Sequence, residues 1–233
     1  MRPVAFERID VIVPAHDEEA IVVECLQSLL VAREQLLRGR PRLECSIVLV
    51  LDDCTDRTAE LVASFGDRVV AHAIGARSVG AARRAGAERA MRPEARQWLA
   101  QTDADSTVPP HWLSEHAEAA ESGVELLLGT VVPTFATFTP QQRRTWHRTH
   151  PLGHLPGNVH GANLGIDAGL YRRLGGYAAL REHEDVDLVQ RARAAGARVE
   201  ANGGLAVSTS DRRFGRTPGG YAAFLREAYP AGR

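Results

Sequence analysis

A chain of 233 residues with 44% hydrophobic content can bury a sizeable core as one large domain. Lys and Arg total 28 against 29 Asp and Glu, a net charge of -1 that argues against nucleic-acid binding through an overall field. Three cysteines in no metal-ligand spacing (Cys25, Cys45, Cys54), no signal-like apolar core in "MRPVAFERID" and no apolar run near the ~20 residues of a bilayer span lead us to expect a soluble, cytoplasmic protein without an integral membrane segment.

In chain order, Ile9 to Val13 is an apolar run ending at Pro14, followed by acidic residues and an apolar-periodic stretch from Ala20 to Leu37. That predicts strand, loop, helix. Ser46 to Leu51 is uninterrupted and rich in β-branched residues, as in a strand covered on both faces of a parallel sheet. It runs into "DDCTD", after which Thr58 to Phe65 reads as a helix with Asp56 as its cap. Arg68 to Ile74 predicts a third strand, Ser78 to Met91 a helix, and Gln97 to Thr102 a fourth strand. Successive β-then-α units predict an α/β fold built on an open, mostly parallel sheet with helices on both faces. Ligands of such sheets bind at the carboxyl ends of the strands. Here that edge carries three acidic loops, 14 to 19, 52 to 56 and 103 to 105.

Beyond Val124 the pattern loosens. Val124 to Val132 predicts a strand, and Thr139 to Gly157, rich in Arg, His, Pro and Gly, an irregular lid or insertion. His160 to Ile166 reads as a strand and Asp167 to Leu174 as a short helix closed by Gly175-Gly176. Asp185 to Ala195 is a further helix, and Arg198 to Ser208 a last strand bent at Asn202-Gly203-Gly204. A helix near Tyr221 to Glu227 follows Arg212, Arg213 and Arg216.

"WLAQTDADSTVPP" (98 to 110) places Asp103 and Asp105 at the end of the fourth strand. Paired carboxylates there form a hard-oxygen site suited to Mg2+ or Mn2+, which would neutralise a donor diphosphate. The ordered motifs "VIVPAHDEE", "VLVLDDCTDRTAE", "GARSVGAARRAGAERA", "TDADS", "GANLGIDAGLYRRLGGY" and "EHEDVDLVQRARAAGARV" resemble the family 2 glycosyltransferases of the GT-A fold over nearly the whole chain.

The resemblance implies a Rossmann-like single GT-A domain over 1–233, with 1–108 as the nucleotide-binding half and 109–233 as the acceptor-side half. It implies an inverting glycosyltransferase of the hexosyltransferase type, with a nucleotide-sugar donor, an acceptor hydroxyl and a Mg2+ or Mn2+ ion. Pro14, Ala15 and Glu18 would line the nucleoside pocket, and Asp52 or Asp53 would accept hydrogen bonds from base or ribose. "DDCTD" is one residue shorter than the commoner family form. Gly80 would let backbone approach the donor, and Arg83 would contact diphosphate or base. Asp103 and Asp105 would hold the metal, Asp103 also touching the nucleotide. Glu184-Asp185 resembles the family's Glu-Asp pair, with Asp185 as general base. Arg84 and Arg89 read as a solvated face, and Asp187 as a partner of Arg191.

One departure stands out. Many GT-A enzymes complete the metal site with a late histidine, yet none follows His183, and the corresponding stretch reads "VSTSDRRFGR". Asp211 would serve as ligand instead, or Arg212, Arg213 and Arg216 would clamp the diphosphate. His147, His150, His154 and His160 fit no zinc spacing and are expected to line the acceptor side. A nucleotidyltransferase would want a Gly-rich, basic first loop, whereas "PAHDEE" is acidic. A non-catalytic sugar-nucleotide-binding protein would not need Glu184-Asp185.

Overall fold

Among the described residues eight strands make one sheet in the order β3-β2-β1-β4-β7-β6-β8-β5: β1 (Arg8–Ala15), β2 (Glu44–Asp52), β3 (Val70–Ile74), β4 (Gln97–Gln101), β5 (Ser106–Thr107), β6 (Leu126–Pro133), β7 (Leu164–Asp167) and β8 (Val199–Thr209). The computed structural model describes residues 6–93, 95–151, 153, 159–178, 180, 182–215 and 219–230. β1 pairs in parallel with both β2 and β4, and β2 with β3. β7 runs antiparallel to β4 and β6, and β8 runs parallel to β6. This is the α/β architecture the sequence predicts.

Side chains of β1 alternate between two cores, as the two-residue period of a strand requires. Ile9, Val11 and Val13 face one layer with Leu26, Leu29 and Trp112, while Ile12 faces the other with Leu99, Leu164 and Leu188. The first layer is covered by α1 (Val22–Gly39), α2 (Thr58–Ala63) and α4 (Trp112–Glu121). The second is covered by α3 (Val79–Ala90), α6 (Ala168–Arg173) and α7 (Glu184–Ala194). The predicted bend in the last strand is a bulge: β8 advances from Ala201 to Ala206 while β6 advances only from Leu128 to Thr130.

Three stretches differ from the sequence expectation. The supposed irregular lid contains α5 (Pro140–Thr149), started by a capping box between Thr139 and Gln142 with Pro140 in the first turn. It packs with α8 (Tyr221–Ala228) around a third apolar cluster centred on Trp146, Leu225 and Tyr229. The helix α4 and the short strand β5 were not anticipated. The expected strand from His160 opens as a 3-10 turn, Gly161–Asn163, before β7. No helix among the described residues is long and apolar enough to cross a membrane.

Candidate active site

The carboxyl ends of β1, β2 and β4 meet the amino termini of α3 and α7 around one cleft of about 1550 Å³. Of the residues singled out in the sequence, Pro14, Ala15, Glu18, Asp52, Arg83, Asp103, Asp105, Glu184, Asp185 and Arg212 line it.

Arg83 organises the centre. Its side chain is 3% exposed, and Nη2 donates to Asp103 Oδ1 at 2.5 Å while Nη1 donates to Glu184 Oε1. Burial works against the guanidinium charge, but Asp103 foremost, with Glu184 and others, holds it protonated above its ordinary range. Burial pushes the Glu184 carboxyl up, and Arg83 opposes that shift. Arg83 therefore joins the acidic end of β4 to the amino terminus of α7.

Asp185 is the next residue. His183 turns the chain into α7 with φ 61, a left-handed conformation uncommon outside glycine. Asp185 Oδ2 then accepts from the Gly161 backbone N–H at 2.7 Å, and Oδ1 from Val186 N–H at 2.8 Å. A Cβ on Gly161 would lie 2.1 Å from Arg83 Nη1, so only glycine lets the 3-10 turn sit against the guanidinium and reach Asp185. Asn163 fixes that turn from behind: its Nδ2 donates to Thr130 O and Leu205 O, and its Oδ1 accepts from Trp112 Nε1. Sequence reasoning gave Gly161 and Asn163 no role, although both stand in "GAN".

Arg212 spans the opposite wall. Nη1 donates to both oxygens of Glu18 at 2.9 and 3.0 Å, and Nη2 lies 3.0 Å from Asp105 Oδ2. Burial and the charge of Asp103 push the Asp105 carboxyl up to about 6, against the pull of Arg212. Asp52 lines the cleft, but its carboxylate accepts from the backbone N–H groups of Ala76, Arg77 and Ser78 at 2.7, 2.8 and 2.8 Å, holding the loop before α3.

Four of the expected site residues stand outside the described cleft lining. Asp53 is outside the cleft lining, its carboxylate paired with Arg77, and of the alternatives Asp52 and Asp53 it is Asp52 that lines the cleft. Gly80 is buried in packing: a Cβ there would meet Glu184 Cγ and Cβ at 3.2 and 3.3 Å, so its small size serves the α3–α7 contact and not a donor. Asp211 accepts from Thr134 Oγ1, Thr137 N and Thr137 Oγ1 at 2.8, 2.6 and 2.9 Å, away from the cleft lining. Arg213 also turns away, donating to Leu225 O and lying over the Phe138 ring. Arg216 and His154 lie outside the described residues. His150 and His160 line the cleft, whereas His147 packs against Trp146 and Phe135. As expected, Asp187 pairs with Arg191, Asp56 accepts from Thr58 N–H at the start of α2, and Arg84 pairs with Glu88 in solvent.

A metal ion would find few ligands. Among the described residues no three His, Cys, Asp or Glu side chains are grouped to hold one. Asp103 and Asp105 alone suit Mg2+ or Mn2+ bound in the common nucleotide mode, in which one or two carboxylates are completed by phosphate oxygens and waters.

Solved structures share this mostly parallel sheet and superpose on the chain. S. aureus TarS in complex with UDP-GlcNAc is similar with TM-score 0.68 and 16% identity, over 92% of this chain and 61% of that one. Mannosyltransferase PcManGT from Pyrobaculum calidifontis, in complex with GDP-Man and Mn2+, gives TM-score 0.66 and 19% identity over 92% and 60%. GalNAc-T7 with UDP, GalNAc and Mn2+ gives 0.64 and 14% over 95% and 48%. The chain thus spans about three fifths or less of these three solved chains, the TarS chain being its residues 1–349. No curated protein matches it by sequence. Residues 10–181 match the family model described as glycosyl transferase family 2, and the chain belongs to that family.

Proposed function

We propose that the protein transfers a hexosyl group from a nucleoside-diphosphate sugar to an acceptor hydroxyl, with inversion at the anomeric carbon. One observation carries this reading. Glu184 and Asp185 are adjacent, yet Arg83 engages Glu184 while Asp185 faces the same cleft as Asp103 and Asp105, oriented by two backbone N–H groups.

The donor nucleoside lies along Pro14, Ala15 and Asp52, with its diphosphate toward Asp103, Asp105 and Arg212. Mg2+ or Mn2+ held by Asp103 and Asp105 would supply positive charge to the leaving diphosphate. Arg212 can bind phosphate oxygens bidentately once it releases Glu18 and Asp105. Asp185 takes the proton from the acceptor hydroxyl as that oxygen bonds to the anomeric carbon and the bond to diphosphate breaks. The proton ends on Asp185 and the electron pair on the departing nucleoside diphosphate. A single displacement with no covalent intermediate inverts the centre. The free thiols of Cys25, Cys45 and Cys54 support a reducing, cytoplasmic setting.

The test is thermal shift with UDP and GDP, each with and without Mn2+. One of them should raise Tm in the presence of Mn2+, because a ligand that binds only the native state stabilises it by mass action. Asp105→Ala should abolish the Mn2+-dependent part. If neither nucleotide shifts the wild-type Tm, the reading fails.

A further inference from the structure

The cleft is divided in chemistry. The donor side holds carboxylates and arginines. The described lining from β6, α5 and the turn after it, residues 159–162 and α8 includes no Asp, Glu, Asn, Gln, Lys or Arg side chain, those beyond Asp185 being Glu182, Gln190 and Arg193 around α7. A connected series of rings takes their place. His160 stands edge-on to Tyr221 at 6.0 Å, Tyr221 stacks on Phe224 at 5.9 Å, Phe224 meets His150 at 6.4 Å, and His150 stacks on Trp146 at 4.6 Å. Val132 packs into the same cluster. Phe224 is 40% exposed although it borders the cleft.

The series begins beside the proposed base, since His160 precedes the glycine whose N–H binds Asp185. A hydroxyl delivered to Asp185 must rest the remainder of its molecule near these rings. The cleft, at about 1550 Å³, exceeds the roughly 300–1,000 Å³ of a site for one small ligand, leaving room for a second body. Among the described residues this wall offers as side-chain partners the hydroxyls of Thr130 and Tyr221, the Trp146 indole N–H and the His150 and His160 rings. These are fewer than the hydroxyls a purely carbohydrate body would bury there, and unpaired buried hydroxyls oppose binding. Resting on the reading that Asp185 is the base, we infer that the acceptor is amphipathic: a hydroxyl-bearing head at Asp185 joined to an apolar body held by Trp146, His150, His160, Tyr221 and Phe224.

Trp146, though itself only 3% exposed, supplies the readout because it lines the cleft, which Trp98 and Trp112 do not. The probes are octyl β-D-glucopyranoside, kept below its micellar concentration, and methyl β-D-glucopyranoside, which has the same head without the tail. The octyl glycoside should change tryptophan emission and bind at least about tenfold more tightly than the methyl glycoside. Phe224→Asp should weaken octyl binding by about tenfold, whereas Val31→Asp, at an exposed apolar site on α1 outside the cleft, should leave it unchanged. Tyr221→Ser replaces Phe224→Asp if the latter does not fold. Equal affinity for the two glycosides, no binding of either, or octyl binding insensitive to the cleft variants overturns the inference. So does an equal loss in Val31→Asp, which would mark non-specific detergent association. A preference for the octyl glycoside with no response to any nucleoside diphosphate would overturn the transferase reading and leave the apolar subsite standing.

Discussion

Gly161→Ala tests the network that joins the acidic edge to Asp185. The added Cβ would lie 2.1 Å from Arg83 Nη1, 2.5 Å from Cζ and 2.6 Å from Nη2. Ordinary contact needs about 3.5 Å, so the guanidinium or the turn must retreat by roughly 1.4 Å. A retreat of that size takes Arg83 Nη2 from 2.5 Å to beyond hydrogen-bond range of Asp103 and disturbs the bond to Glu184. Disrupting a buried ion pair costs about 3–5 kcal/mol, the upper limit here because the turn can share the movement. If the turn yields instead, Asp185 loses its anchor, and an ångström of misplacement at a reacting group costs about 10²-fold in rate. The assay is urea denaturation together with transfer kinetics on Gly161→Ala, Arg83→Lys and the double variant. The slimmer ammonium should relieve the clash, so the double variant should be more stable than the sum of the single losses by at least about 0.5 kcal/mol. Strict additivity, or a Gly161→Ala protein with wild-type stability and rate, would refute the reasoning.

Arg212→Ala should weaken nucleoside-diphosphate affinity by about tenfold or more, given about 1.5–3 kcal/mol for a charge-assisted bond, while Arg213→Ala leaves it unchanged. Equal losses in calorimetry would contradict the orientation of these neighbours. Asp211→Asn should leave the Mn2+ response intact yet lower stability by about 1–3 kcal/mol, because donors from Thr134 and Thr137 lose their carboxylate. A lost Mn2+ response would mark Asp211 as a ligand. Asp105 is raised from its ordinary 3.8 to about 6, so between those values the folded protein binds more protons than the unfolded one. Its contribution to stability therefore falls as pH rises through this window and is level above it. Asp105→Asn should remove that fall in denaturant midpoints, and a variant with the wild-type pH profile would contradict the shift.

The first half of the fold was legible because strands covered on both faces read as continuous apolar runs, and β1, β2 and β4 are of that kind. Their ends name the site directly: Asp103, Asp105, Glu18 and Asp52 all reach the cleft. The helix α5 was hidden because it buries Trp146 alone, leaving no apolar stripe to detect, although Thr139-Pro140 with Gln142 carried its start signal. In α4 the apolar spacing of Trp112, Leu113, His116 and Ala117 was readable but lay behind a Pro-rich stretch. Orientation was beyond reach after β8, where no periodic element relates neighbours: Arg212 enters the cleft, while Asp211 and Arg213 point away from it into other contacts. The need for glycine at 161 arises from a guanidinium 78 positions earlier in the chain, as the Arg83 contact shows, and no local pattern announces such a contact.

Asp185→Asn, assayed with the donor identified by thermal shift and with NMR of the product, addresses the proposed chemistry most directly. The amide can still accept from Gly161 N–H, but it cannot take the proton of the acceptor hydroxyl. Donor affinity should remain near wild type, transfer should fall by roughly 10²–10⁴-fold, and the wild-type product should carry the anomeric configuration opposite to the donor's. Transfer by Asp185→Asn at the wild-type rate, or a product that retains the donor configuration, would contradict the mechanism.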